Sequence, residues 1–278
     1  MTRRLVAAAA AFLLVGCGPV VPTPTGLVTP SPSPSMWIDH PTGVTDVVLR
    51  MSSGGGLPYY IGPTYTRPPQ FTLYGDGRVI YLVVGDQPPL LRQARLSEDQ
   101  VGALLEYALG EAGLAMARAQ YDEPGIYDVG TTRFVINAGG FNKSVAVYAL
   151  GFYREDGPDQ EARHAFEALA EKLDGFGEDV AAGNVVDLGE FTPSAYGVTL
   201  DRRFGPEVTG RAPWPWADLQ PADFGPVKEM GSADRIVDTE HGAAVLALGI
   251  WDALIVTGPD DVIYQIKIRP LLPDELPN

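Results

Sequence analysis

Two short runs with alternating apolar residues, Phe71 to Tyr74 and Arg78 to Val84, meet at Gly75-Asp76-Gly77. Asp-Gly between such runs is the strongest short hairpin signal, because a tight two-residue turn holds both central residues at positive φ. The chain must turn back on itself here, and the paired strands then need a layer over their apolar face. Leu96-Ser-Glu-Asp-Gln-Val101 opens that layer. Ser97 and Gln100 form a capping box, Leu96 and Val101 a hydrophobic staple, and Glu98 and Asp99 complement the positive end of the helix dipole. Val101, Leu104, Leu105, Ala108 and Leu109 fall on one face, with Gly113 as the stop. A phosphate or calcium role for Gly75-Asp76-Gly77 is disfavoured, since the segment lacks the Walker lysine and the regular oxygen ligands of a calcium loop.

The pattern repeats. Val44–Met51 reads as a strand that ends at Gly54-Gly55-Gly56, and residues 131–137 and 143–150 read as a second hairpin around Ala138-Gly-Gly-Phe-Asn142. Pro158–Leu173 follows as a second amphipathic helix, with Ala162, Phe166, Leu169 and Leu173 inward, His164 outward and Gly175 closing it. In the last third, VVDL and YGVTL are strand-like, and residues 205–226 make a Pro- and Trp-rich loop. Thr239–Leu248 suits a short helix, and residues 253–257 pair with 262–269 across Gly258-Pro-Asp-Asp261. Along that final strand Val262, Tyr264, Ile266 and Ile268 oppose Gln265, Lys267 and Arg269, so one face must meet solvent or a polar partner. Hairpin, helix, hairpin, helix is the order of an α+β fold, antiparallel hairpins covered by amphipathic helices, and not of a doubly wound nucleotide fold. The body divides into residues 37–183 and 184–278, which are two parts or one continuous domain.

The N-terminal segment has a different character. Arg3 and Arg4 precede 11 unbroken apolar residues, Leu5 to Val15, and then comes Cys17, the single cysteine of the chain. Residues 1–16 read as a signal peptide, too short to span a bilayer. Leu14-Val15-Gly16-Cys17 resembles a bacterial lipobox. That resemblance implies cleavage before Cys17, lipidation of its thiol with a diacylglyceryl group, palmitate among the acyl chains, and a mature protein tethered to the cell membrane on its extracytoplasmic side. Two acyl chains, at about 0.8 kcal/mol per buried methylene, make a stable anchor. The linker of residues 17–36 holds six prolines and six Ser or Thr without a charge. It cannot build a core, and as extended polyproline II, at about 3.1 Å per residue, it reaches about 60 Å.

The net charge is −15, and loss of Arg3 and Arg4 with the leader takes it to −17. A nucleic-acid partner is disfavoured, because polyanion binding needs clustered Lys and Arg. The charge instead suits a domain kept off an anionic membrane. The lipobox, the stalk, the glycines before FTLYGDGRVI, the LSxxQ helix and the terminal RPLLPDE together resemble uncharacterised lipoproteins of GC-rich bacteria. The likeness runs over most of the body and implies place and architecture but no activity.

Chemistry is harder to find. With Cys17 acylated no thiol is left for catalysis. His40, His164 and His241 stand in no metal-ligand spacing, and there is no GxSxG elbow. No catalytic residue, metal ligand or cofactor is assigned. Asp122-Glu123, Asp260-Asp261 and Asp274-Glu275 sit beside Pro or Gly and read as solvated turns. Trp214 and Trp216, in Pro213-Trp-Pro-Trp216, are the candidate binding residues: stiffly held indoles can stack on a sugar or fill a partner's pocket. The competing reading is that both anchor the loop to the core. Tyr59, Tyr60 and Tyr65 are a weaker candidate of the same kind. The expectation is a non-enzymatic, lipid-anchored envelope domain that binds a protein or glycan. The alternatives are a wall or peptide hydrolase with a site assembled from distant residues, and a small solute-binding lipoprotein.

Overall fold

The computed structural model describes residues 37–55, 67–83, 90–152, 157–203, 211–225, 232–248 and 254–277. These belong to one compact unit and carry an α+β fold. The chain order is β1 (Val47–Gly54), β2 (Phe71–Tyr74), β3 (Arg78–Val83), β4 (Leu90–Arg95), α1 (Glu98–Leu109), β5 (Gln120–Tyr121), β6 (Thr131–Ala138), β7 (Phe141–Tyr148), α2 (Gln160–Asp174) and α3 (Phe176–Ala181). It continues through β8 (Val186–Glu190), β9 (Ala195–Arg202), β10 (Ala212–Pro213), β11 (Ser232–Asp238), α4 (Thr239–Leu246), β12 (Leu254–Thr257) and β13 (Ile263–Pro270). Two sheets result, ordered β5-β7-β6-β1-β2-β3-β4-β8 and β10-β12-β13-β9-β11.

Pairing is antiparallel except at two edges, where β5 joins β7 and β10 joins β12 in parallel. Those two-residue strands lie in segments without a hydrophobic period, so the expectation of purely antiparallel hairpins is corrected there.

The three predicted hairpins form, and the first two have their turn types exchanged. At Gly75-Asp76-Gly77 only Gly77 has positive φ (78°), and its N–H donates to the Tyr74 carbonyl at 3.0 Å. This is a three-residue loop closed by a left-handed glycine. The two-residue turn with both φ positive lies instead at Gly139 (60°) and Gly140 (79°), where Ala138 pairs with Phe141. The capping box on Ser97 and Gln100 is present, and the helix stops at Gly110, three residues before the glycine expected to end it.

Alternation puts Phe71, Leu73, Val79, Tyr81, Phe134, Ile136, Val145 and Val147 on one face of the larger sheet, where α1, α2 and α3 cover them. Burial of side chains of this size contributes about 1.5–3 kcal/mol each. The opposite face carries Tyr74, Ile80 and Leu91, and Leu272 from the C-terminal segment lies on it. Asp274 of that segment accepts from Arg50 Nη2 at 2.6 Å and from the Tyr74 hydroxyl at 2.7 Å.

The smaller sheet buries Val198, Leu200, Val256, Tyr264, Ile266 and Ile268 beneath α4 and the loop of residues 211–225. Its other face is polar yet closed: Thr199, Gln265, Lys267 and Arg269 are all buried. The partners are polar groups, Asp201 for Lys267 (2.8 Å), Asp234 for Thr199 (2.7 Å) and Glu275 for Arg269 (2.7 and 2.9 Å).

Candidate binding cleft

The cleft is built where α3 leans on the larger sheet beside α1. Phe176 opens α3 and drops between Phe71 and Tyr81, edge-on to each at 5.2 Å between ring centres. Such contacts add to area burial and fix where the short helix sits. Gln100 ties α1 to the segment that follows α3: its side-chain carbonyl caps the Ser97 N–H at 2.9 Å, and its Nε2 donates to the Asn184 carbonyl at 2.8 Å. Asn184 Nδ2 donates to Asp179 Oδ1 at 3.2 Å. Between these tethers α1 and α3 stand slightly apart, leaving a cleft of about 270 Å³.

Leu96, Leu104, Leu173, Phe176 and Val185 form its floor, Ala103 and Tyr107 one wall, and Gln100, Lys172, Asp179 and Asn184 its polar rim. The Lys172 ammonium sits over the Tyr107 ring, 5.5 Å from its centre. The surface continues past Ser97 and Gly183 to Val186, a 62% exposed residue on the edge strand β8. An apolar floor with a thin polar border suits an apolar side chain entering from a partner.

β8 itself is guarded against strand addition. Gly189 has a φ of 90°, and its N–H is taken by Asp187 Oδ1 at 2.9 Å. The pairing of β8 with β4 is irregular here, with a register shift between Gln93 and Ala94, and such an irregularity blunts an edge strand. That backbone hydrogen bond is the main reason the Asp187 carboxyl is held below the usual range, with Arg92 adding to it. Arg92 and Asp187 border a second depression of about 400 Å³ on the far side of α3, together with Tyr81 and Asp174. Burial raises both the Asp174 carboxyl and the Tyr81 phenol.

Of the residues singled out in the sequence, Cys17, Tyr59, Tyr60 and Tyr65 lie outside the described residues. Trp216 is buried (5% exposed), and its indole N–H donates to the His241 carbonyl at 2.9 Å. Trp214 is half-buried, edge-on to Trp216 at 5.1 Å, and its N–H donates to the Leu219 carbonyl at 2.6 Å. Both rings therefore support the loop from within, and only Trp214 keeps some surface. His164 is exposed as expected, and His40 bonds the Pro41 carbonyl. His241 differs, with a carboxylate at each ring nitrogen.

The acidic pairs are more structural than a solvated-turn reading allows. Glu123 is buried against Arg163, Asp260 accepts from the Tyr264 hydroxyl at 2.7 Å, and Asp274 and Glu275 hold the C-terminal segment. Among the described residues no group of three His, Cys, Asp or Glu is placed to hold a metal ion.

Sequence reasoning missed the cleft because its floor is made from the outer edges of core side chains. The available signal was the run Ala103, Leu104, Tyr107, which widens the apolar face of α1 beyond what the sheet needs. No family model matches the chain, and no curated protein or solved structure matches it either.

Proposed function

We propose that this protein is a lipid-anchored, extracytoplasmic binding protein: Cys17 holds it to the cell membrane, the Pro/Ser/Thr-rich linker spaces it, and the folded body engages a protein partner without catalysis. The anchor rests on Leu14-Val15-Gly16-Cys17 and the uncharged linker behind it. The binding role rests on the α1–α3 cleft, whose lining is mainly apolar. A sugar needs converging hydrogen-bond groups beside a stacking ring, and both candidate indole N–H groups are spent on backbone carbonyls. A peptide side chain needs only apolar volume, so a protein partner is the better match than a glycan.

Two measurements test this reading. Cys17→Ala should abolish incorporation of labelled palmitate and move the protein from the membrane to the soluble fraction; continued labelling would refute the anchor. For the cleft, a photo-crosslinker at the exposed Ala103 should yield a discrete protein adduct in intact membranes, whereas one at the exposed Asp128 should not. Equal labelling from both positions would refute the assignment of the cleft.

A further inference from the structure

His241 occupies the first turn of α4 and faces carboxylates from two elements. Its Nδ1 lies 2.8 Å from Asp238 Oδ1, on the residue that caps its own helix, and its Nε2 lies 3.3 Å from Asp218 Oδ1, in the loop that carries Trp214 and Trp216. The same Asp238 oxygen accepts the His241 backbone N–H at 2.9 Å, and the His241 carbonyl accepts the Trp216 indole N–H. A neutral imidazole has one N–H and can donate to one carboxylate, whereas an imidazolium donates to both. The ring therefore has two states with different numbers of bonds to the loop.

We propose that His241 is a pH-operated clasp between α4 and the tryptophan loop, closed when its imidazole is protonated and open at the Asp218 side when it is neutral. Nδ1 keeps its hydrogen in the neutral form, because Asp238 is nearer and already fixed by the helix cap. Nε2 then turns a lone pair toward the Asp218 carboxylate, and that contact is lost. Asp238 and Asp218 are the charged groups that act on the ring. Both favour the imidazolium, so the His241 pKa is raised, chiefly by the bond to Asp238. The third element against α4 is β9, whose Tyr196 ring packs on Gly242; burial raises that phenol and keeps it neutral. Trp216 is buried and its indole N–H is held by the His241 carbonyl, so the movable part is the segment around Asp218, and opening frees the loop between its two tryptophan anchors and the turn at Pro221–Phe224.

The test uses the full chain in detergent. Histidine C2 hydrogen exchange, read by mass spectrometry, gives the protonation midpoint of His241. His241 should titrate above the ordinary imidazole value of about 6.5, and Asp218→Asn, at a site already 77% exposed, should lower the proton affinity of His241 by about threefold. Amide exchange in residues 217–220, taken as the ratio of Asp218→Asn to wild type at each pH, should be about threefold at pH 5.5 and near one at pH 8.5. An Asp218→Asn variant that leaves the His241 midpoint unmoved, or a ratio that does not change with pH, would overturn the clasp.

Discussion

Two buried arginines each meet a glutamate, and the pairs are built differently. Arg163 on α2 has no exposed side-chain surface, and neither in effect has Glu123 (1%), yet the closest approach, Nε to Oε2, is 3.4 Å. Arg163 Nη1 donates to the Tyr148 carbonyl at 3.0 Å, but Nε, Nη2 and both Glu123 oxygens have no hydrogen-bond partner among the described residues. Arg269 instead grips Glu275 with two nitrogens, and one of the same carboxylate oxygens also accepts the Leu272 N–H at 2.9 Å. Glu275 keeps 20% of its side chain in solvent. The first pair neutralises charge inside a core with few hydrogen bonds in return. The second is a fork-to-fork contact whose carboxylate keeps partial access to solvent and which also shapes the chain.

The largest expected effect follows from breaking the first pair. Glu123→Ala leaves Arg163 charged and enclosed, which costs about 3–5 kcal/mol in a chemical denaturation experiment. If Glu275→Ala costs as much, the contrast between the two sites is wrong. Glu275→Gln keeps the shape and loses the charge-assisted fork, at a cost of about 1.5–3 kcal/mol; its signature is faster exchange of the Leu272 amide, because that N–H loses its anionic acceptor. The double variant Arg163→Met with Glu123→Leu sharpens the comparison further. Replacing an imperfectly bonded buried pair by apolar groups of similar volume is often neutral or stabilising, so the double variant should recover nearly all that Glu123→Ala loses. The same exchange at Arg269 and Glu275 should recover little, since Leu272 and Asp274 on the larger sheet depend on the shape that pair enforces.

The two regions also differ in how much the sequence disclosed. The β2–β3 hairpin, the capped α1, the β6–β7 hairpin and the β12–β13 hairpin all carry local signals, an Asp-Gly or Gly-Gly turn, a capping box or strict alternation, and each appears within a few residues of its expected place. β4, β5, α3 and β11 do not, because what defines them is a neighbour. β4 is held between β3 and β8, and α3 by the slot between Phe71 and Tyr81. Arg163 was legible in principle. It stands three residues before Phe166 and ten before Leu173, on the buried stripe of α2, where a charged residue breaks the period. Ala162, four residues before Phe166, satisfies the same period, and the partner, 40 positions upstream in a loop, leaves no mark in sequence. The cleft escaped for a related reason: its volume arises between elements, and no single element encodes it.

The smallest effect belongs to a third charged contact, His241 with Asp238, and it separates the buried pairs from an exposed one by its response to pH. Arginine keeps its proton throughout, whereas an imidazole changes its charge near neutral pH. His241 has a raised pKa, which means the folded chain holds that proton more tightly than the unfolded chain does. Its stabilisation is complete below about 6.5, the imidazole's ordinary value, and disappears as pH rises through the folded value. Asp238 has a lowered pKa, caused first by the His241 backbone N–H and then by its ring. Its contribution is present above about 3.9 and disappears as pH falls through the folded value. The contact is therefore strongest in the window between the two. The difference in melting temperature between wild type and His241→Gln should trace a shallow maximum near pH 5 to 6 and shrink on either side, and it should shrink further with added salt, because surface charge contacts of this kind are screened. A difference that stays flat from pH 4 to 9 would mean that the imidazole is only packing against the loop, and the comparison would then rest on the two arginine pairs alone.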